Sequence, residues 1–114
     1  MDELAEFEAP WIDERRRYLH ALHLSALECV AAVGLGLGGS ELSSTERSAR
    51  ALIEHEPYRE SGYRLLMEAH ARRDNVAEAL RVYDRLRVLL RSELGVAPGE
   101  SAQALHKALL ARTQ

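Results

Sequence analysis

The chain has 114 residues, enough for one domain and too few for two. Leu, Ala, Arg and Glu supply 64 of them and Val, Ile and Thr only 10, so a sheet-built fold is excluded and helix is expected nearly throughout. A net charge of −3 argues against a dedicated nucleic-acid binder, while 46% apolar and 29% charged residues exclude generic disorder and a membrane-embedded protein.

The first fourteen residues hold six acids and no base, an acidic lead-in whose first ten residues read as a linker before a domain at 11–112. Trp11, Tyr18, Leu19, Leu22, Ala26, Cys29, Val30 and Val33 then recur at spacings of three and four, which predicts a helix over about 11–33 with that stripe as its packed face. The Gly34–Gly39 run is expected to end it as a flexible turn. Cys29, the only cysteine, reads as a small buried thiol, and no disulfide can form within the chain. No signal peptide is recognisable, and the charge-free apolar stretch Cys29–Gly39 is too short for a bilayer. A cytoplasmic protein without membrane partners is expected.

Ser40, Ser43 or Ser44 offers a cap for a second helix, with Ala49, Leu52 and Ile53 inward, Arg47, Arg50 and Glu54 outward, and Pro57 as its stop. Tyr63, Leu66, Met67 and His70 line one face of a third helix whose other side, Leu65 and Ala69, is apolar too, so it should lie between neighbours. Arg73–Asn75 is a turn in which Asn75 takes the left-handed conformation or caps the next helix. That fourth helix sets Ala79, Tyr83, Leu86, Leu90 and Leu94 against an arginine-rich side, and Gly95 with Pro98 closes it. Ala104, Leu105, Ala108 and Leu109 mark a short fifth helix.

The order of bulky, small and aromatic positions fits two units of a 34-residue helical repeat. Tyr63, Leu66, Met67 and His70 followed by Ala79-x3-Tyr83 form the second unit, and Thr45, Ala49, Leu52 and Pro57 the first. Met67 and Thr45 stand where small residues are preferred. The fold class is therefore all-α, a tetratricopeptide-like antiparallel array of about five helices, with helical hairpins and a C-terminal capping helix.

Several runs carry a wider likeness: Glu14-Arg15-Arg16-Arg17, Glu56-Pro57-Tyr58-Arg59-Glu60, Tyr63 to Ala69, Ala77 to Tyr83, Leu94 to Pro98 and Leu105-His106. In this order and spacing, over about residues 10–110, the chain resembles the bacterial transcriptional activator domain of Streptomyces antibiotic regulatory protein-type regulators. The resemblance implies a repeat-like helical domain that follows a winged-helix DNA-binding domain, so the chain is expected to be a piece of a larger regulator. The Gly34–Ser44 connection looks longer than such a domain needs.

Other chemistry is thin. Gly34-x-Gly36-x-x-Gly39, with Glu54 and Glu56 about twenty residues on, spells a dinucleotide fingerprint without the strand and sheet that would use it. His20 and His23 lie three apart on one helix, but His55, His70 and His106 fall on others, and His70 reads as a core residue. No catalytic residue, cofactor or metal is assigned. The candidate interaction surface is Tyr58, Arg59, Arg81, Arg85 and Arg91, with Arg81 pairing with Asp84.

The reading that results is a non-catalytic interaction and dimerisation module of a transcription regulator. Its expected partners are a second copy, its own DNA-binding domain and RNA polymerase, with DNA reached only indirectly. The alternative is a small-molecule sensor with a ligand held among Trp11, Tyr63, Met67 and Tyr83.

Overall fold

The computed structural model describes the backbone of residues 2–114 and the side chains from Pro10 onward. Among the described residues five helices follow one another: α1 (Asp2–Leu37), α2 (Leu42–His55), α3 (Glu60–Arg72), α4 (Val76–Leu94) and α5 (Glu100–Arg112), with a 3-10 turn, Gly39–Glu41, between α1 and α2. No strand occurs among the described residues. Neighbours in sequence pack as neighbours in space, α1 on α2, α2 on α3, α3 on α4, and α5 closes on α4 and α3. This is the helical array that the repeat pattern predicts.

The centre of the array is legible residue by residue. Ala49, Met67, Ala79, Val82 and Leu86 are completely buried, and Tyr63, Leu66, Tyr83 and Leu90 nearly so. α3 is buried on both sides, as its doubly apolar pattern requires. Ala49 and Ala79 lie at the helix crossings, where a methyl group lets two backbones approach. Tyr63 anchors its hydroxyl by donating to the Pro57 carbonyl at 2.8 Å, so the stop of α2 and the first turn of α3 are one unit. Gly62 makes this packing possible: a Cβ there would stand 3.1 Å from Leu52 and Ile53.

Gly95 takes φ 67° and turns the chain out of α4, its N–H donating to Arg91 O and that of Val96 to Leu90 O. In the α3–α4 turn the left-handed residue is Asp74, φ 61°, while Asn75 precedes α4 without a side-chain cap bond, which corrects the expectation for Asn75. α5 buries Ala102 and Leu109; Ala104 and Ala108 are exposed, so its inward face lies a step away from the expected one. Leu94 is exposed as well.

The largest departure is at α1. The helix runs to Leu37, past two of the glycines expected to stop it, and begins at Asp2, so the backbone of the acidic residues continues into the same helix. The side chains of residues 1–9 lie outside the described ones. Gly34 stays helical because it sits in the crossing with α2. A Cβ there would collide with Thr45 Oγ1 and stand 3.0 Å from Glu41 O. Thr45 is the counterpart: fully buried, it donates to Ala31 O across the crossing at 3.0 Å. The unexpected size of residue 45 and the glycine at 34 thus complement each other. The connection is confined to residues 38–41, and Gly38 and Gly39 make its reversal with φ of 69° and 55°. The serines do not cap α2, whose preceding residue is Glu41.

The buried face of α1 is also not the expected one. Leu24, Ala31 and Leu35 point inward, with Gly34 among them. Trp11, Tyr18, Leu19, Leu22, Val30 and Val33 are exposed, and so is Cys29.

Candidate interaction surfaces

α1 is fastened to the body at its C-terminal half. Arg72 Nη1 donates to Leu35 O at 2.8 Å, occupying one of the carbonyls that a helix end leaves open. Arg73 bridges from the end of α3 to Glu46 at 2.8 Å and to the Ser43 hydroxyl. Arg59 reaches from the α2–α3 loop to Glu28 on α1 at 2.7 Å, with both side chains about one-third exposed. The Ser61 hydroxyl first, and the Arg59 guanidinium with it, hold the Glu28 carboxyl below the ordinary carboxylate range despite partial burial. These clamps join residues 28–46 to residues 59–73, and none of them is visible as a local sequence pattern.

The five expected surface residues do not form one patch. Arg59 is committed to its ion pair with Glu28. Tyr58 beside it is 45% exposed at the loop tip. Arg81 pairs with Glu78 at 2.8 Å, not with Asp84, which takes Arg87 instead. Arg85 lies over a shallow cleft formed with Arg50, Ile53, Glu54 and Leu66. Arg91 opens on a different groove of about 460 Å³, lined by Tyr83, Arg87, Val96, Pro98 and Gln103. The Tyr83 ring there is stacked on His106 at 3.9 Å between centroids.

The four exposed or buried histidines outside that stack divide into a cluster and a core residue. His55, at the end of α2, stands edge-on to His20 and His23 of α1, with centroids 6.1 and 5.3 Å away. No local pattern announces that meeting, because the α1–α2 register decides it. Among the described residues, no group of three or more His, Cys, Asp or Glu is arranged to hold a metal ion. His70 is buried with Nε2 unpartnered, and desolvation holds its pKa below the ordinary value. The glycines of the fingerprint-like run lie on a helix end and a turn with no sheet beside them, so the run does not form a dinucleotide cradle.

The dominant surface feature is the outer face of α1. Trp11 is 61% exposed, Tyr18 65% and Leu37 71%, with Leu19, Leu22 and Val33 about half exposed between them. Arg15 lies over the Trp11 ring at 5.6 Å. Monomeric proteins rarely leave a contiguous apolar stripe of this length in water. By length and composition Pro10–Leu37 could also cross a membrane, but the charges at Asp13–Arg17 and the docking of Leu24, Ala31 and Leu35 onto the body make this weak evidence. The spacing of three and four marks this stripe but predicts it as the packed face, and the structure places it in solvent instead.

The sequence matches the model of a family described as "Bacterial transcriptional activator domain" over residues 2–110. No curated protein and no solved structure matches.

Proposed function

The chain belongs to the bacterial transcriptional activator domain family, and from that premise we propose that it is a non-catalytic interaction module of a cytoplasmic transcription regulator. DNA is bound by another domain, and this one supplies protein contacts. The observation that carries the reading is the solvent-facing apolar stripe of α1, on a helix that docks to the body from Leu24 onward through Leu24, Ala31 and Leu35. A rigid helix with one free apolar face is a recognition element of the helix-on-helix kind. The test is a reporter assay with the domain in a complete regulator of this family. Leu22→Glu and Val33→Glu should abolish activation while circular dichroism stays unchanged; activation at the unsubstituted level with both variants would refute the reading.

The alternative, a small-molecule sensor, has one observation in its favour, the groove beside Tyr83 and Arg91. No ligand space lies among Trp11, Tyr63, Met67 and Tyr83: Met67, Tyr63 and Tyr83 are core residues, and Trp11 stands outside on α1. A thermal-shift screen against anionic metabolites tests this second reading, and Arg91→Ala should remove any shift that arises in the groove.

A further inference from the structure

We propose that the occupant of the outer α1 face is a second copy of this chain, with the two α1 helices running antiparallel and crossing near residue 24. The inference deepens the interaction-module reading and rests on it. Three observations lead to it. The first is area. The large apolar side chains on this face, each between 38% and 71% exposed, present on the order of 800 Å² per copy, which is one partner's share of a standard stable interface. An isologous pair of helices uses the same patch twice, so both stripes are covered by a single contact.

The second observation is the register. In an antiparallel pair in which residue i faces residue 48 − i, large meets small along the stripe: Leu22 faces Ala26, Leu19 faces Cys29, and Tyr18 faces Val30. At the ends, Trp11 faces Leu37 and the Arg15 stem covers Val33. Ala26 and Cys29 are exposed and small, and they admit the close approach that interdigitating helix ridges need.

The third is charge, which selects the direction. Residues 1–14 hold six acids and no base, whereas between Tyr18 and Leu37 the only charged residue besides the histidines is Glu28, held by Arg59. A parallel pair would bring both acidic segments together at one end, where like charges repel. The antiparallel pair separates them and carries each past the other copy's Leu37, toward the end of α1 where Arg72 reaches Leu35 O.

Cys29, the only cysteine, makes the arrangement testable. In the antiparallel register the two Cys29 residues lie ten positions apart along the axis, about 15 Å, beyond the roughly 7 Å reach of a disulfide. The unmodified chain should therefore sediment as a dimer yet form no disulfide-linked dimer with copper phenanthroline. Leu19→Cys should cross-link through residue 19 of one copy and residue 29 of the other, and adding Cys29→Ser should abolish that product. Leu22→Glu should weaken dimerisation at least a hundredfold with helicity retained, and Lys107→Ala, on the exposed side of α5 and outside the face, should leave it unchanged. A disulfide through Cys29 in the unmodified chain would overturn the antiparallel register. A monomer at every concentration would overturn the second copy as occupant. Co-sedimentation of the chain with phospholipid vesicles in place of dimerisation would overturn it in favour of a lipid surface. A monomer whose reporter activity still falls in Leu22→Glu would reject this inference and keep the interaction module; an indifferent reporter would reject the module itself.

Discussion

Gly34 and Gly36 have the same residue type two positions apart in one helix and opposite expected responses to alanine. Helix propensity alone favours Ala over Gly by up to about 1 kcal/mol. At Gly36 an added Cβ meets nothing, so Gly36→Ala should raise stability by close to that amount. At Gly34 the Cβ runs into Thr45 Oγ1 and the Glu41 carbonyl. Overpacking of this kind costs about 1–3 kcal/mol, more than the propensity gain, so Gly34→Ala should lower the denaturation midpoint. Thr45→Ala is destabilising by itself because Thr45 is fully buried and bonded to Ala31 O. Combined with Gly34→Ala it should cost less than the sum of the two, a coupling that a double-mutant cycle in urea measures.

His70 makes a second prediction at this scale. Its folded pKa lies below the ordinary 6.5, so the unfolded chain takes up the proton first as pH falls. Stability from this residue is therefore intact above pH 6.5 and erodes as pH drops below it. His70→Gln should flatten the pH dependence of thermal unfolding between about pH 7 and 5.5. Glu28 and Glu46 act in a lower window. Ser61 with Arg59, and Arg50, hold their carboxyls below the ordinary 4.5, so their contribution is present above that value and lost as pH falls through the lowered folded values. An acid melt whose His70→Gln and unsubstituted curves coincide would contradict the assignment of the upper window.

At the scale of elements, the legibility of the sequence follows from how many faces of each helix are apolar. α2 and α4 carry charge on one side only, so their phase is unambiguous, and Ala49, Leu52, Ala79, Tyr83 and Leu86 are buried as the pattern requires. Between Leu19 and Leu37, α1 has apolar residues all round. The stripe with Leu22 and Val33 and the stripe with Leu24, Ala31 and Leu35 obey the same period, and nothing local says which meets the body. The choice is made by tertiary partners: Gly34 at the crossing, Thr45 opposite it, and the arginine clamps from α3. The surface arginines depend on tertiary partners in the same way. Arg59 looks exposed in a loop, but its partner is Glu28, thirty-one residues earlier. The clamp from Arg72 to Leu35 O carries a prediction of its own. Hydrogen bonds to charged groups contribute about 1.5–3 kcal/mol, so Arg72→Ala should fray the last turn of α1, read as faster amide hydrogen exchange at residues 35–39, with the α3–α4 core amides unchanged.

For the whole molecule, the extents of 66 × 36 × 17 Å follow from one long helix laid across an array of shorter ones. Residues 10–23 of α1 are exposed throughout, whereas burial begins at Leu24. The two ends of the chain should therefore respond oppositely to truncation. Deleting residues 1–17 removes Trp11 and the acidic segment but no buried side chain among the described residues, so the thermal midpoint of dilute, monomeric protein should move by only a few degrees. Deleting residues 100–114 takes away Ala102 and Leu109 and lifts His106 from the Tyr83 ring, uncovering that side of α4. Truncating one buried Leu to Ala typically costs 2–5 kcal/mol, and total stabilities are about 5–15 kcal/mol, so losing a whole packed helix should leave the remainder unfolded or molten. Circular dichroism melts of the two truncations decide the matter. Cooperative unfolding of the N-terminal truncation near the full-length midpoint, beside a C-terminal truncation without a transition, places the folding unit in α2–α5 with the second half of α1. A collapse of the N-terminal truncation would show instead that the free half of α1 is part of that unit.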